Sequence, residues 1–186
     1  MQTEIIISGF GGQGALFAGQ LLAYTALEMD LQVTWFPSYG PEMRGGTAHC
    51  TVILSDDEIG SPVVRNPTAA IVMNIPSLEK YEPLIKEGGV LIVNTSLVDR
   101  NPGREDITTV LVSASEIAED LGDGRLANLV MVGALLECLN VLPLEAVGKA
   151  LEIHIPEHRK ELLGANLKAL ERGAEIARVE KTAAKQ

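Results

Sequence analysis

Cysteine is scarce in this chain. Only Cys50 and Cys138 occur in 186 residues, and neither belongs to a C-x-x-C. Zinc and iron–sulfur sites built from thiolates need close spacing, so neither is legible here, and two buried thiols are expected. Basic residues are outnumbered, 15 against 25 acids, for a formal net charge of -10. Binding to a nucleic-acid backbone needs a basic face, so nucleic acid is excluded as a partner. Long hydrophobic runs are missing too. The most apolar late stretch, 126–136, contains Asn128 and is too short to span a bilayer, so no membrane partner is expected. No basic segment followed by an apolar one opens the chain, and the protein reads as cytoplasmic. Aromatics are few, with one Trp, three Tyr and three Phe. Nor is there an H-E-x-x-H or a G-x-S-x-G. Of the three histidines, His49 falls inside a strand without an evident companion and reads as structural. His154 and His158 flank Pro156, which breaks the helical spacing a metal pair needs, so they read as solvated or capping.

What is present is a glycine turn in a telling place. Ile5-Ile6-Ile7-Ser8 is an apolar β-branched run. Gly9, Gly11 and Gly14 follow with G-x-G-x-x-G spacing, including Gly12 and Gln13, and a long apolar segment begins at Ala15. A strand, a turn and a helix in that order can cradle an anion on free backbone N–H groups and the helix dipole. A packing-only turn is the competing reading. A dinucleotide site would also place an acid at the end of the second strand. That end reads Trp35-Phe36-Pro37-Ser38-Tyr39, which argues against NAD or NADP. Next comes Tyr39-Gly40-Pro41-Glu42-Met43-Arg44-Gly45-Gly46, a structured loop carrying an acid and a base. In an open α/β sheet both loops fall at the carboxyl edge, where ligands bind.

The remaining pattern alternates strands and helices. Strands are expected over 4–8, 31–36, 47–54, 69–74, 90–94 and 107–112, with 59–64 returning as an antiparallel strand beside 47–54. Helices are expected over 15–28, 81–86, 114–121, 126–140 and 143–151, with Pro76 at a helix start and an amphipathic tail over 157–179. Asn74 and Asn94 read as helix caps, while Asn128 opens its helix where it could face the ligand edge. The 15–28 helix is apolar almost all round, more than one sheet face requires. The fold expected is a Rossmann-like three-layer α/β/α domain over 1–186, mostly parallel with an antiparallel edge hairpin, its tail fraying over 181–186. The equipment suits binding and is poor in reactive groups, as in a subunit that positions a phosphate-bearing cofactor for chemistry supplied by a partner.

The two glycine motifs together, with 127–133 and 166–173, resemble the gamma subunit of the 2-oxoacid:ferredoxin oxidoreductases over essentially the whole chain. That family acts on pyruvate, 2-oxoglutarate or branched-chain 2-oxoacids. The resemblance implies a complex of alpha, beta, gamma and ferredoxin-like delta subunits. Such a complex decarboxylates a 2-oxoacid on thiamine diphosphate, passes electrons through iron–sulfur clusters to ferredoxin and releases acyl-CoA. It implies further that companions hold the thiamine diphosphate and the clusters, while this chain helps admit or bind coenzyme A. Carried over to this sequence, the cofactor-facing candidates are Gly9, Gly11, Gly12, Gln13, Gly14, Glu42, Arg44, Gly45, Gly46 and Asn128. No residue is assigned a catalytic role. An independent nucleotide-binding oxidoreductase and a purely structural assembly subunit are the competing readings. The isolated chain, expected to be inactive, could pair as a homodimer.

Overall fold

The computed structural model describes residues 1–38, 47–155 and 157–183. The second glycine loop, with candidates Glu42, Arg44, Gly45 and Gly46, therefore lies outside the described residues. One sheet of six strands organises the rest, in the order β2-β3-β1-β4-β5-β6. The strands are β1 (Gln2–Phe10), β2 (Gln32–Ser38), β3 (Thr47–Ser55), β4 (Ala69–Val72), β5 (Val90–Asn94) and β6 (Thr108–Val112). Strands β1, β4, β5 and β6 pair in parallel, while β3 runs antiparallel to both β1 and β2. Only β3 therefore opposes the common direction.

Alternation along the strands sorts side chains onto two faces. Ile5 and Ile7 of β1, Cys50, Val52 and Leu54 of β3, and Ile71 and Ile92 face the larger core. That side is covered by α1 (Ala15–Glu28), α3 (Ala114–Asp120), α4 (Ala127–Leu139), α5 (Leu144–His154) and α6 (Leu163–Ala183). Ile6, Ala70, Val72, Leu91 and Val93 face a smaller core closed by Leu78 and Tyr81 of α2 (Ile75–Tyr81). The three-layer α/β/α expectation holds, with the layers unequal. Helices α4 and α6 cross at van der Waals contact. A Cβ on Gly133 would stand 1.9 Å from the Leu170 carbonyl oxygen, and one on Gly173 would stand 1.8 Å from that of Val130.

Two expectations are corrected. Residues 59–64 form no strand, and Val63 is exposed. Both hydrogen-bonding edges of β3 are already occupied, by β1 and β2, and Pro62 lacks a donor. The antiparallel hairpin is β2–β3 instead. The helix expected over 81–86 is α2 followed by a 3-10 turn, Glu82–Leu84. Asn74 fixes its start by accepting the Ser77 N–H at 2.8 Å, and Pro83 interrupts its continuation.

Candidate functional site

The chain leaves β1 to build one side of the sheet (β2, β3) and then crosses to the other (β4 to β6). The switch point lies between β1 and β4, and the glycine turn occupies its carboxyl end, where ligands enter such sheets. Because β1 runs on to Phe10, Gly9 belongs to the strand and pairs with Ala48. Gln13 closes the turn. Its N–H donates to the Phe10 carbonyl at 3.1 Å, its Oε1 accepts the Phe10 N–H at 2.5 Å, and its Nε2 donates to the Met73 carbonyl at 3.4 Å. The Gln13 amide is thus already engaged within the turn, bridging β1 to β4.

Two glycines here have backbones that other residues adopt at a penalty. Gly12 has φ +94° and faces open space, with nothing within 4 Å of where a Cβ would stand. Gly14, with φ 77° and ψ 20°, is the N-cap of α1. The first helical bond runs from Ala18 N–H to Gly14 C=O at 3.0 Å, so the amides of residues 15–17 have no partner within the helix. No side chain caps this end and no acid stands in its first turn. A 14-residue helix thus points its positive end beside an open glycine.

Asn128, at the start of α4 and 5% exposed, donates through Nδ2 to the Gly14 carbonyl at 3.2 Å. Beside that contact opens a cleft of about 220 Å³, lined among others by Gly12, Gly14, Arg125, Asn128, Arg159 and Asn166. The sequence reading missed Arg125, Arg159 and Asn166, which come from three separate segments. Asp123 and Arg125 are locked together, with Nη2 to Oδ2 at 2.6 Å. Hydrogen bonds from the Arg125 side chain and backbone hold the Asp123 carboxyl below its usual range, and Asp123 in turn raises Arg125. Arg159, on the 3-10 turn Glu157–Leu162, makes no ion pair or hydrogen bond among the described residues. A larger groove of about 490 Å³ between α5 and α6, lined by Leu144, Leu167 and Leu170, shares no residue with this cleft. Its polar rim is mostly acidic (Glu145, Glu152, Glu171), which suits no anion.

The β2–β3 hairpin explains the missing strand-two acid. In a dinucleotide fold the second strand lies beside the first. Here β3 separates them, which puts the end of β2 two strand spacings from the glycine turn, about 10 Å away. Thr47 is nonetheless paired with Phe10, and Ser38 lies opposite His49. The described flanks of residues 39–46 thus sit at the same sheet edge as the turn.

Asn74 caps α2, as expected, while Asn94, which no helix follows, serves the start of α3 instead. Asn94 Oδ1 accepts the Ala114 N–H at 3.1 Å and its Nδ2 donates to Ser115 Oγ at 3.0 Å. His154 is exposed, as expected, but it is also engaged. It stacks on Tyr24, with centroids 4.1 Å apart, and its Nε2 lies 2.7 Å from Glu28 Oε1, fastening α5 to α1. The ring of His49 lies 5.7 Å from that of Tyr81. Among the described residues no three His, Cys, Asp or Glu side chains converge to hold a metal ion. No described helix is long and apolar enough to cross a membrane.

Residues 4–176 match the pyruvate ferredoxin/flavodoxin oxidoreductase family. Ketoisovalerate oxidoreductase subunit VorA of Methanothermobacter marburgensis is 36% identical over 178 residues; the match covers 95% of this chain and 37% of VorA. The 2-oxoglutarate synthase subunit KorC of Methanocaldococcus jannaschii is 36% identical over 181 residues, covering 96% of this chain and 95% of KorC. Among solved structures, the gamma subunit of a keto/oxoacid ferredoxin oxidoreductase from Geobacter sulfurreducens superposes with a TM-score of 0.81 at 34% identity, over 95% of this chain and 99% of that one. This chain belongs to the pyruvate ferredoxin/flavodoxin oxidoreductase family and has the fold of its gamma subunits.

Proposed function

We propose that this chain is the gamma subunit of a cytoplasmic 2-oxoacid:ferredoxin oxidoreductase, which converts a 2-oxoacid and coenzyme A to acyl-CoA and CO2 and reduces ferredoxin. The observation that carries the proposal is the match to KorC over nearly the full length of both chains. The partners are alpha, beta and delta subunits.

In this reading the redox and thiamine chemistry belongs to those companions. The chain's own residues do not suit a cluster. Cys50 is buried under α1 and Cys138 lies on α4, and no third thiol exists. Coenzyme A, when bound, supplies the thiol that accepts the acyl group. What this chain offers is an edge for its anionic part: the open Gly12, the free N–H groups at the start of α1, and the loop bearing Glu42 and Arg44. Guanidinium suits phosphate because it presents several donors in a fixed plane. Gly14 and Asn128 act by holding the helix end in place.

The test is Arg44→Ala in the assembled complex. The apparent KM for coenzyme A should rise, or turnover should fall, with assembly intact. Unchanged kinetics in an intact complex would remove the ligand role and favour a structural subunit.

A further inference from the structure

The cleft beside the glycine turn gathers polar side chains that the described packing does not engage. Asn166 is 9% exposed, lines the cleft, and makes no hydrogen bond among the described residues. Its amide atoms are not walled off from solvent, so they stay open to a group that enters the cleft. Arg159 lines the same cleft, exposed and without a partner among the described residues, in a chain whose net charge is -10. The local charge is the reverse of the global one. Asp123 is neutralised by Arg125, and the nearby Glu157 is drawn to Lys160 at 2.8 Å. Among the described residues, what remains is the Arg159 guanidinium, the Asn166 amide and the N-terminus of α1.

We infer that this cleft is a phosphate subsite, with Arg159 and Asn166 as its binding side chains and the α1 N-terminus as its third wall. The inference rests on the reading of the glycine turn as an anion edge and names what completes it. Size limits the ligand. At about 220 Å³ the cleft lies below the roughly 300–1,000 Å³ of sites that enclose a whole small molecule. It therefore takes one phosphorylated end of a longer ligand. Leu126, Leu129, Ile155 and Leu162 line it as well, giving an apolar wall for the part next to the phosphate. Arg159 supplies charge-assisted hydrogen bonds and Asn166 a neutral one, while Arg125, held by Asp123, sets the rim.

The experiment titrates inorganic pyrophosphate into the isolated full-length chain by calorimetry. The variants are Arg159→Gln and Asn166→Asp, with Lys168→Gln on the exposed face of α6 as control, and circular dichroism confirms that each is folded. Wild type should bind, and Lys168→Gln should match it. Each cleft variant should weaken binding about 10- to 100-fold, the range expected for losing a hydrogen bond to a charged group. Binding that survives both cleft variants overturns the subsite while leaving the glycine-turn edge standing. No binding to wild type, or wild-type binding that is an adventitious ion only (equal in all variants and abolished by modest salt), also overturns it. The coenzyme A kinetics of Arg44→Ala in the assembled complex judge the proposed function separately.

Discussion

Replacing Gly14 by alanine puts the account of the turn under direct load. Two penalties follow from the geometry. The backbone sits at φ 77°, where an L-residue with a Cβ is disfavoured by about 1–2 kcal/mol. The new Cβ would also stand 2.1 Å from Asn128 Nδ2 and 3.0 Å from its Cγ, well inside van der Waals contact. Asn128 must then swing away and lose its bond to the Gly14 carbonyl, or the two segments must separate, and overpacking of this kind costs about 1–3 kcal/mol. The sum, about 2–5 kcal/mol, is a large share of the roughly 5–15 kcal/mol that holds a domain folded. The two penalties can be separated. Asn128→Ala alone should cost about 1–2 kcal/mol, from one hydrogen bond and a little packing. In the double variant the clash is absent, so its loss should fall short of the sum of the singles by about 1–3 kcal/mol. Urea denaturation followed by circular dichroism, on all four proteins, gives these numbers. A Gly14→Ala loss under about 1 kcal/mol, or additivity within about 0.5 kcal/mol, would refute the contact between the turn and α4.

Three further expectations are cheaper to check. Gly173→Ala should destabilise more than any exposed α6 substitution, by about 3 kcal/mol or more, because its Cβ would fall 1.8 Å from the Val130 carbonyl oxygen; a thermal melt within 2 °C of wild type would contradict the close crossing. The Cys50 thiol, pushed up to about 12 by burial, should resist a thiol reagent at pH 8 in the native chain and react on unfolding; prompt native labelling at Cys50, mapped by mass spectrometry, would contradict its burial. Glu4 is pushed up by burial, but hydrogen bonds from Lys86, Gln2 and Thr68 outweigh this and hold it below its ordinary value of 4.5. A depressed carboxyl stabilises the fold above its unfolded value, and that contribution disappears as pH falls through 4.5 and below. Glu4→Gln should therefore flatten the acid limb of a stability–pH curve, and an unchanged acid limb would count against the Glu4 cluster.

Much of this architecture could be read from sequence where local rules agree with each other. Helix 15–28 and strand 90–94 match the structure at both ends, because glycine or turn residues bound an apolar run on each side. The antiparallel partner of β3 could not be read. Alternation marks Thr47–Ser55 as a strand but is silent on which strands flank it, and the wrong neighbour, 59–64, was as apolar as the right one. Gly12 shows the same limit at the turn. The spacing singled out Gly9, Gly11 and Gly14, yet Gly9 lies within the strand, while Gly12, off the spacing, has a positive φ as Gly14 does. Asn128 was legible because it opens an apolar helix. Arg125, Arg159 and Asn166 were not, because packing of α4, α6 and a 3-10 turn around the N-terminus of α1 brings them together, and no local pattern records it. Asp123-Gly124-Arg125, an acid and a base fixed across a glycine, was the one local signal nearby.

The central claim is that this chain works as the gamma subunit of a coenzyme A-dependent complex. Its most direct test is reconstitution with the proposed alpha, beta and delta subunits, assayed for ferredoxin reduction with pyruvate, 2-oxoglutarate and 2-ketoisovalerate in turn. The account predicts reduction with at least one 2-oxoacid that requires both coenzyme A and this chain. Full activity without this chain, or a stable complex containing it that stays inactive with all three acids and coenzyme A, would contradict it.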